Sequence, residues 1–347
     1  MHPSRLHHRN LNRHKVLLAA LAAFGTLCLA PRAATASAVL TLYSAQHEQV
    51  DAMLMAAFTK QTGIKVQVHE GEGPEIAAQI TQEGADSPAD VFLTENSPEL
   101  NLLDEKGLLV PVAPATLADI PAKYSAKDGN WLGVLARENV LAFNPSMIKQ
   151  SELPASLLDL AKPEWKGKLA IAPSDADFLP LVSAVARQYG QKAALDWLNG
   201  LKANSKIYQD DESVVAAVDR GAVATGIINN YYWARLETAQ GAAGTHSAIY
   251  HFSHGDIGGL INVSGAAVLK SSKHQAEAKK FLAFLVSRPA QDMLGQSAID
   301  YEYPLAPGVV PNKLLTPFAQ LQPPAINVNQ LGDDQDAGLL LQQAGLI

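Results

Sequence analysis

Residues 39–70 read VLTLYSAQHEQVDAMLMAAFTKQTGIKVQVHE, a short apolar run, an amphipathic run and an alternating run in succession. Val39 to Tyr43 is apolar enough for a strand buried on both faces. Val50, Met53, Leu54, Ala57 and Phe58 then fall on one helical stripe, and Gly63 supplies the stop. Ile64, Val66 and Val68 alternate as a second strand. A strand, a helix and a second strand within this length make a βαβ unit, whose two strands lie parallel.

The pattern continues outward. A helix from Glu75 to Glu83 closes at Gly84, a strand runs from Asp90 to Leu93, and a helix from Pro98 to Lys106 closes at Gly107. Leu169–Ala172 and Val223–Ile228 read as strands, with helices near 179–189, 193–201 and 213–220 between them. Val263–Leu269 is a further strand, and Ser272 is placed to cap a helix whose Ala278, Phe281, Phe284 and Leu285 share a face. Pro317 to Pro324 is proline-rich and is expected to wrap a surface. Two α/β units in 347 residues suit two domains.

The first residues read as an export signal. Arg5, Arg9, Arg13 and Lys15 precede an apolar stretch from Val16 to Ala30, and Ala36-Ser37-Ala38 suits cleavage. A spanning helix needs about 20 apolar residues, and no later segment has them. The expectation is an exported, soluble protein that is not membrane-embedded. The one cysteine, Cys28, lies within the signal, so the mature chain offers no disulfide, thiolate ligand or thiol nucleophile. Removing the basic signal takes the formal charge from −7 to −12, which argues against nucleic acid as a partner.

Ligands of open parallel sheets bind at the carboxyl ends of the strands. The polar residues found there are His47, Glu95, and Tyr231 with Tyr232. Adjacent tyrosines on a strand point to opposite faces, so both reach one site only where the chain has left the strand, as Asn229-Asn230 suggests. Each residue has a plain structural reading as packing or as a helix start. Together they offer two phenols, a carboxylate and an imidazole. A small trivalent cation would drive the protons from the phenols, and two phenolates with one carboxylate neutralise it. Other motifs are quiet: Gly71-Glu72-Gly73 is too little for a dinucleotide loop, and His251 and His254 read as a surface pair.

The blocks Tyr43-Ser44-Ala45-Gln46-His47, Ser87 to Phe92 leading to Glu95, Ile228 to Trp233, and Ser264 to Ser272 resemble the periplasmic ferric-iron-binding proteins of ABC transporters. The resemblance runs over almost the whole mature chain. It implies a two-lobed, type II-like solute-binding fold with mostly parallel sheets and two crossing hinge strands, near Val140–Phe143 and Leu260–Val263. The expected division is a signal peptide at 1–38, one lobe from 39–138 plus 263–310, and another from 139–262 plus 311–347.

The resemblance further implies that His47, Glu95, Tyr231 and Tyr232 bind Fe3+, with an exogenous anion completing the coordination, and that a monomer docks on a permease with its ATPase. The anion-binding positions depart from the family. They read Asp175-Ala176-Asp177, Asp211 and Asn96, with Asn229 kept and Arg137 near the site. Acids there repel an anion, by about 4 kcal/mol per unit-charge pair at 4 Å in an effective dielectric of 20. Either Asp175 or Asp211 replaces the anion as a ligand, or a neutral species fills the open positions, or the acids are helix caps. The competing functions are capture of an organophosphonate, polyamine or other small solute on the same fold, an exported hydrolase using His47 and Glu95, and a sensor subunit.

Overall fold

The computed structural model of this chain describes residues 39–347. The expected signal at 1–38, with Cys28, lies outside them. The strands are β1 (Val39–Ala45), β2 (Lys65–Glu70), β3 (Val91–Thr94), β4 (Leu109–Val110), β5 (Leu132–Phe143), β6 (Leu169–Ile171), β7 (Ser205–Ile207), β8 (Thr225–Asn229), β9 (Ala248–Tyr250), β10 (Ile261–Leu269) and β11 (Tyr303–Pro304). Eight of them pair in the order β2-β1-β3-β10-β5-β8-β6-β7, with β4 beside β10 and with β9 and β11 beside β5.

The α/β class holds, with parallel pairing confined to two groups. β1 runs parallel to β2 and β3, and β6 runs parallel to β7 and β8. The two long strands between these groups are antiparallel to their neighbours. β5 is the switch: up to Glu138 it pairs with β10, and from Asn139 it pairs with β8. The crossing on this strand therefore falls at 138–139, before the expected Val140–Phe143. That apolar run marks burial between β8 and β9, whereas the polar Arg137-Glu138-Asn139 marks the change of partner.

Two larger apolar clusters flank the switch. One gathers Phe58, Phe92, Trp131, Phe281 and Phe284. The other gathers Phe178, Leu181, Trp197 and Phe252. Phe58 meets Phe281 edge-on with centroids 5.0 Å apart, which fixes helix Glu48–Thr62 against helix Gln275–Leu285. Tyr231 and Leu315 pack into the first cluster although they lie in segments assigned above to the second lobe. In the proline-rich segment Phe318 and Leu321 also pack on the first cluster, and just beyond it Ile326 packs on the second.

The glycine stops are where the sequence puts them, since Gly63, Gly84 and Gly107 all have positive φ. At Gly226 a Cβ would meet Val214 Cγ1 at 2.4 Å. Its absence seats helix Asp211–Asp219 directly on β8. Ser272 is not the cap of its helix: His274 is, and the Ser272 hydroxyl donates to Asp90 at 2.6 Å. No helix among the described residues is long and apolar enough to cross a membrane.

Candidate metal centre

Four strands end at one cleft, and each is followed by a helix start. His47 caps helix Glu48–Thr62 after β1, and Asn96 caps helix Ser97–Glu105 after β3. Asp175 caps the 3-10 turn Ala176–Phe178 after β6, and Asn229 caps helix Asn230–Gln240 after β8. Because β8 gives way to a helix at Asn230, Tyr231 and Tyr232 leave the alternation of a strand. Their rings lie side by side, with centroids 4.2 Å apart.

The ligand candidates meet in one place. His47 Nδ1 lies 2.9 Å from Glu95 Oε1. The Tyr231 hydroxyl lies 3.5 Å from Glu95 Oε2 and donates to Asp177 Oδ2 at 2.7 Å. The Tyr232 hydroxyl reaches the same Asp177 oxygen at 3.4 Å. A cleft of about 600 Å³ opens beside them, lined by His47, Glu95, Asp177 and Tyr232 among others. Among the described residues no three of His, Cys, Asp and Glu sit together as a metal cluster. The phenols are therefore needed to complete a donor set, and an imidazole, a carboxylate and two phenols suit a hard, highly charged cation.

Asp177 is the residue around which the rest is arranged. Its Oδ1 accepts from Arg137 Nη2 at 3.0 Å and from Asn96 Nδ2 at 3.4 Å. Burial acts to raise its pKa, but the Arg137 guanidinium, the Tyr231 hydroxyl and the Asn229 side chain outweigh it and hold the carboxyl below its ordinary range. Arg137, 1% exposed, also pairs with Glu302 at 3.3 Å. The two phenols are shifted the other way. Burial first and the Asp177 charge second raise Tyr231 and Tyr232 well above an ordinary phenol. Both therefore stand as neutral phenols at ordinary pH.

The other acids are turned to the backbone. Asp175 Oδ1 takes the Asp177 N–H and its Oδ2 takes the Asp211 N–H, both at 3.0 Å. Asp211 Oδ2 takes the Asn229 N–H at 2.9 Å. Asp175 is thus placed as a cap, one of the readings open to it, while Asp211 braces the start of the tyrosine helix. Of the three acids Asp177 alone, expected to be a cap, faces the phenols. The Asp177 amide in this turn is taken by Asp175, and Ala176 only lines the cleft. Burial, followed by the Asp177 charge, raises Asp175 to about 7.

Four residues at the site were missed. Asn262 donates to Asn96 Oδ1 at 2.8 Å from β10, and Asp300 lies 3.9 Å from His47 Nε2. Glu302 pairs with Arg137, and Arg235 stacks over the Tyr231 ring at 4.7 Å. None stands at the carboxyl end of a parallel strand, the one position searched. His251 is also not a plain surface residue, since Nδ1 meets the buried Glu138 at 2.6 Å.

Comparisons with known proteins place the chain in a family. Residues 53–323 match the family described as bacterial extracellular solute-binding protein. The chain is 39% identical over 330 residues to the Fe(3+)-binding periplasmic protein of Serratia marcescens, covering 95% of this chain and 97% of that one. It is 38% identical over 327 residues to the major ferric iron-binding protein of Neisseria meningitidis serogroup A, covering 93% and 98%. The iron-bound HitA structure from Pseudomonas aeruginosa superposes with a TM-score of 0.84 at 41% identity, over 89% of this chain and 99% of that one. With the strand-end cleft, the switch strand β5 and these matches in hand, the chain belongs to the bacterial extracellular solute-binding protein family.

Proposed function

We propose that this protein captures ferric iron in the cleft and delivers it to an inner-membrane ABC permease. The observation that carries the reading is the meeting of His47, Glu95, Tyr231 and Tyr232 within hydrogen-bonding reach of one another or of Asp177. The relatives named for ferric iron binding support the cargo. The family supports an exported protein that binds and hands over a solute rather than an enzyme. The permease with its ATPase, the periplasmic location, cleavage after Ala38 and a monomeric state are part of the same proposal.

In this reading His47, Glu95, Tyr231 and Tyr232 are ligands, and Asp177 stands where an exogenous anion would stand. Its carboxylate bonds both phenols, Arg137 and Asn96, and so fills the space beside them. Three negative ligand charges neutralise the ion, and the fourth is matched by Arg137. His47 and Glu95 follow β1 and β3, whereas the tyrosines and Asp177 follow β8 and β6. We take these as two lobes, divided as the sequence suggests and hinged at β5. Ligands from both sides bind the closed form better than the open one, so iron shifts the population toward closure.

The test strips the protein of metal, offers ferric iron from a weak chelate, and measures bound metal after separation. One ferric ion per chain is expected. Retention of no iron by folded protein, with uptake of a phosphonate or polyamine instead, overturns the reading.

A further inference from the structure

We infer that Asp300 is the positioning residue of the metal centre, the carboxylate that orients the His47 ring by taking the N–H the metal leaves free. The inference rests on the ferric reading above and deepens it.

The geometry begins with unmet bonds. His47 is placed with Nδ1 on Glu95, while Nε2 is buried and has no hydrogen-bond partner. The group facing Nε2 is Asp300 Oδ1 at 3.9 Å, and Asp300 is 1% exposed. Its other oxygen, Oδ2, is also buried without a partner. Asp300 Oδ1 has one long bond, from Arg235 at 3.4 Å, so the buried carboxylate keeps room for a donor and the buried Nε2 carries its desolvation penalty unless it meets an acceptor. A ring shift of about 1 Å brings 3.9 Å into hydrogen-bond range.

The backbone holds Asp300 in place at a cost. Tyr301 has φ +61, a left-handed conformation that an aromatic residue rarely adopts. It is pinned from the tyrosine helix, since its hydroxyl bonds Thr238 and its carbonyl accepts from Asn230 Nδ2 at 3.3 Å. The reversal at Tyr301 sends its two acidic neighbours to different bases. Glu302 meets Arg137 and the Ser264 hydroxyl, while Asp300 meets His47 and Arg235, the latter at 3.4 Å. The strained residue therefore separates a carboxylate serving the Asp177 side from one serving the histidine side. A histidine ligand whose second nitrogen donates to a carboxylate is fixed in tautomer and ring orientation, and losing that carboxylate costs about 10–100-fold in metal affinity.

The experiment is a double-mutant cycle on the full protein, read as ferric retention against a competing chelator. Asp300→Ala is expected to lower retention about 10–100-fold, and Asp300→Asn, which keeps an acceptor, by less. In a His47→Ala background Asp300→Ala should change retention by less than about two-fold, because the group it acts through is gone. A second readout needs no iron chemistry. Gallium(III), a diamagnetic trivalent stand-in, should add one slowly exchanging imidazole N–H proton, beyond that of His251 on Glu138, to the NMR spectrum of the wild type, and add none in Asp300→Ala or His47→Ala. Equal losses in both backgrounds, no loss in either, or a gallium-dependent N–H proton that still appears in Asp300→Ala overturns the assignment. A wild type that takes neither ion overturns the ferric reading as well, which separates the two failures.

Discussion

Replacing Asp177 with alanine should make iron binding depend on added anion. The carboxylate lies 2.7 Å from the Tyr231 hydroxyl and 3.0 Å from the Arg137 guanidinium, so it contributes attraction to both the cation and its own support. A unit-charge pair at 4 Å in an effective dielectric of 20 is worth about 4 kcal/mol, and a trivalent ion multiplies that. Arg137, left with Glu302 as its remaining carboxylate partner, opposes the ion with part of this energy. A net loss of about 3 kcal/mol is expected, a fall in ferric retention of roughly 150-fold. The vacated volume beside Arg137 and Asn96 is then open to phosphate. Titrating phosphate into a chelator competition should recover at least about ten-fold in the variant and leave the wild type unchanged. A wild type that gains as steeply as the variant, or a folded variant that loses less than about three-fold, would refute the view that Asp177 occupies the anion's place.

Tyr231 and Tyr232 are raised by burial and so carry their protons in the metal-free protein. Loading with iron should release about two protons per ion in unbuffered titration, and retention should fall by up to about 100-fold per pH unit on acidification. Arg137→Leu leaves Asp177 and Glu302 buried without their cation and should cost about 3–5 kcal/mol of stability by denaturant unfolding. Away from the metal centre, burial raises Asp334 to about 8 although Ser183 donates to it. Its pKa is higher folded than unfolded, so its contribution is complete below about pH 4 and is lost as pH rises toward 8, by about 1.4 kcal/mol per unit between. Asp334→Asn should remove about one proton from the pH dependence of unfolding of the metal-free protein between pH 5 and 8.

Much of the fold was legible because it rests on local rules. Gly63, Gly84 and Gly107 end helices through a left-handed conformation that other residues avoid, and the apolar stripe of 50–58 has one helical reading. The strand-end rule found His47, Glu95 and the tyrosine pair because those positions are fixed by where a parallel strand stops. It could not find Asp300 or Glu302, which follow no such strand and reach the site from an irregular segment. The contact of Glu302 with Arg137 spans 165 residues, and no local pattern encodes it. The reading of Asp177 as a cap failed for a related reason. Asp175 and Asp177 are alike in sequence, and the choice between them is made by Arg137, delivered by a strand that pairs on both sides of the cleft.

The most direct test of the central claim is the visible spectrum of the protein after ferric loading from a weak chelate, recorded beside Tyr231→Phe and Tyr232→Phe. Phenolate bound to ferric iron gives a charge-transfer band, and the account predicts that band in the wild type, weakened or shifted in each single variant and absent when both tyrosines are replaced. A folded wild type that stays colourless at every chelate ratio, or a band that survives loss of both phenols, would contradict it.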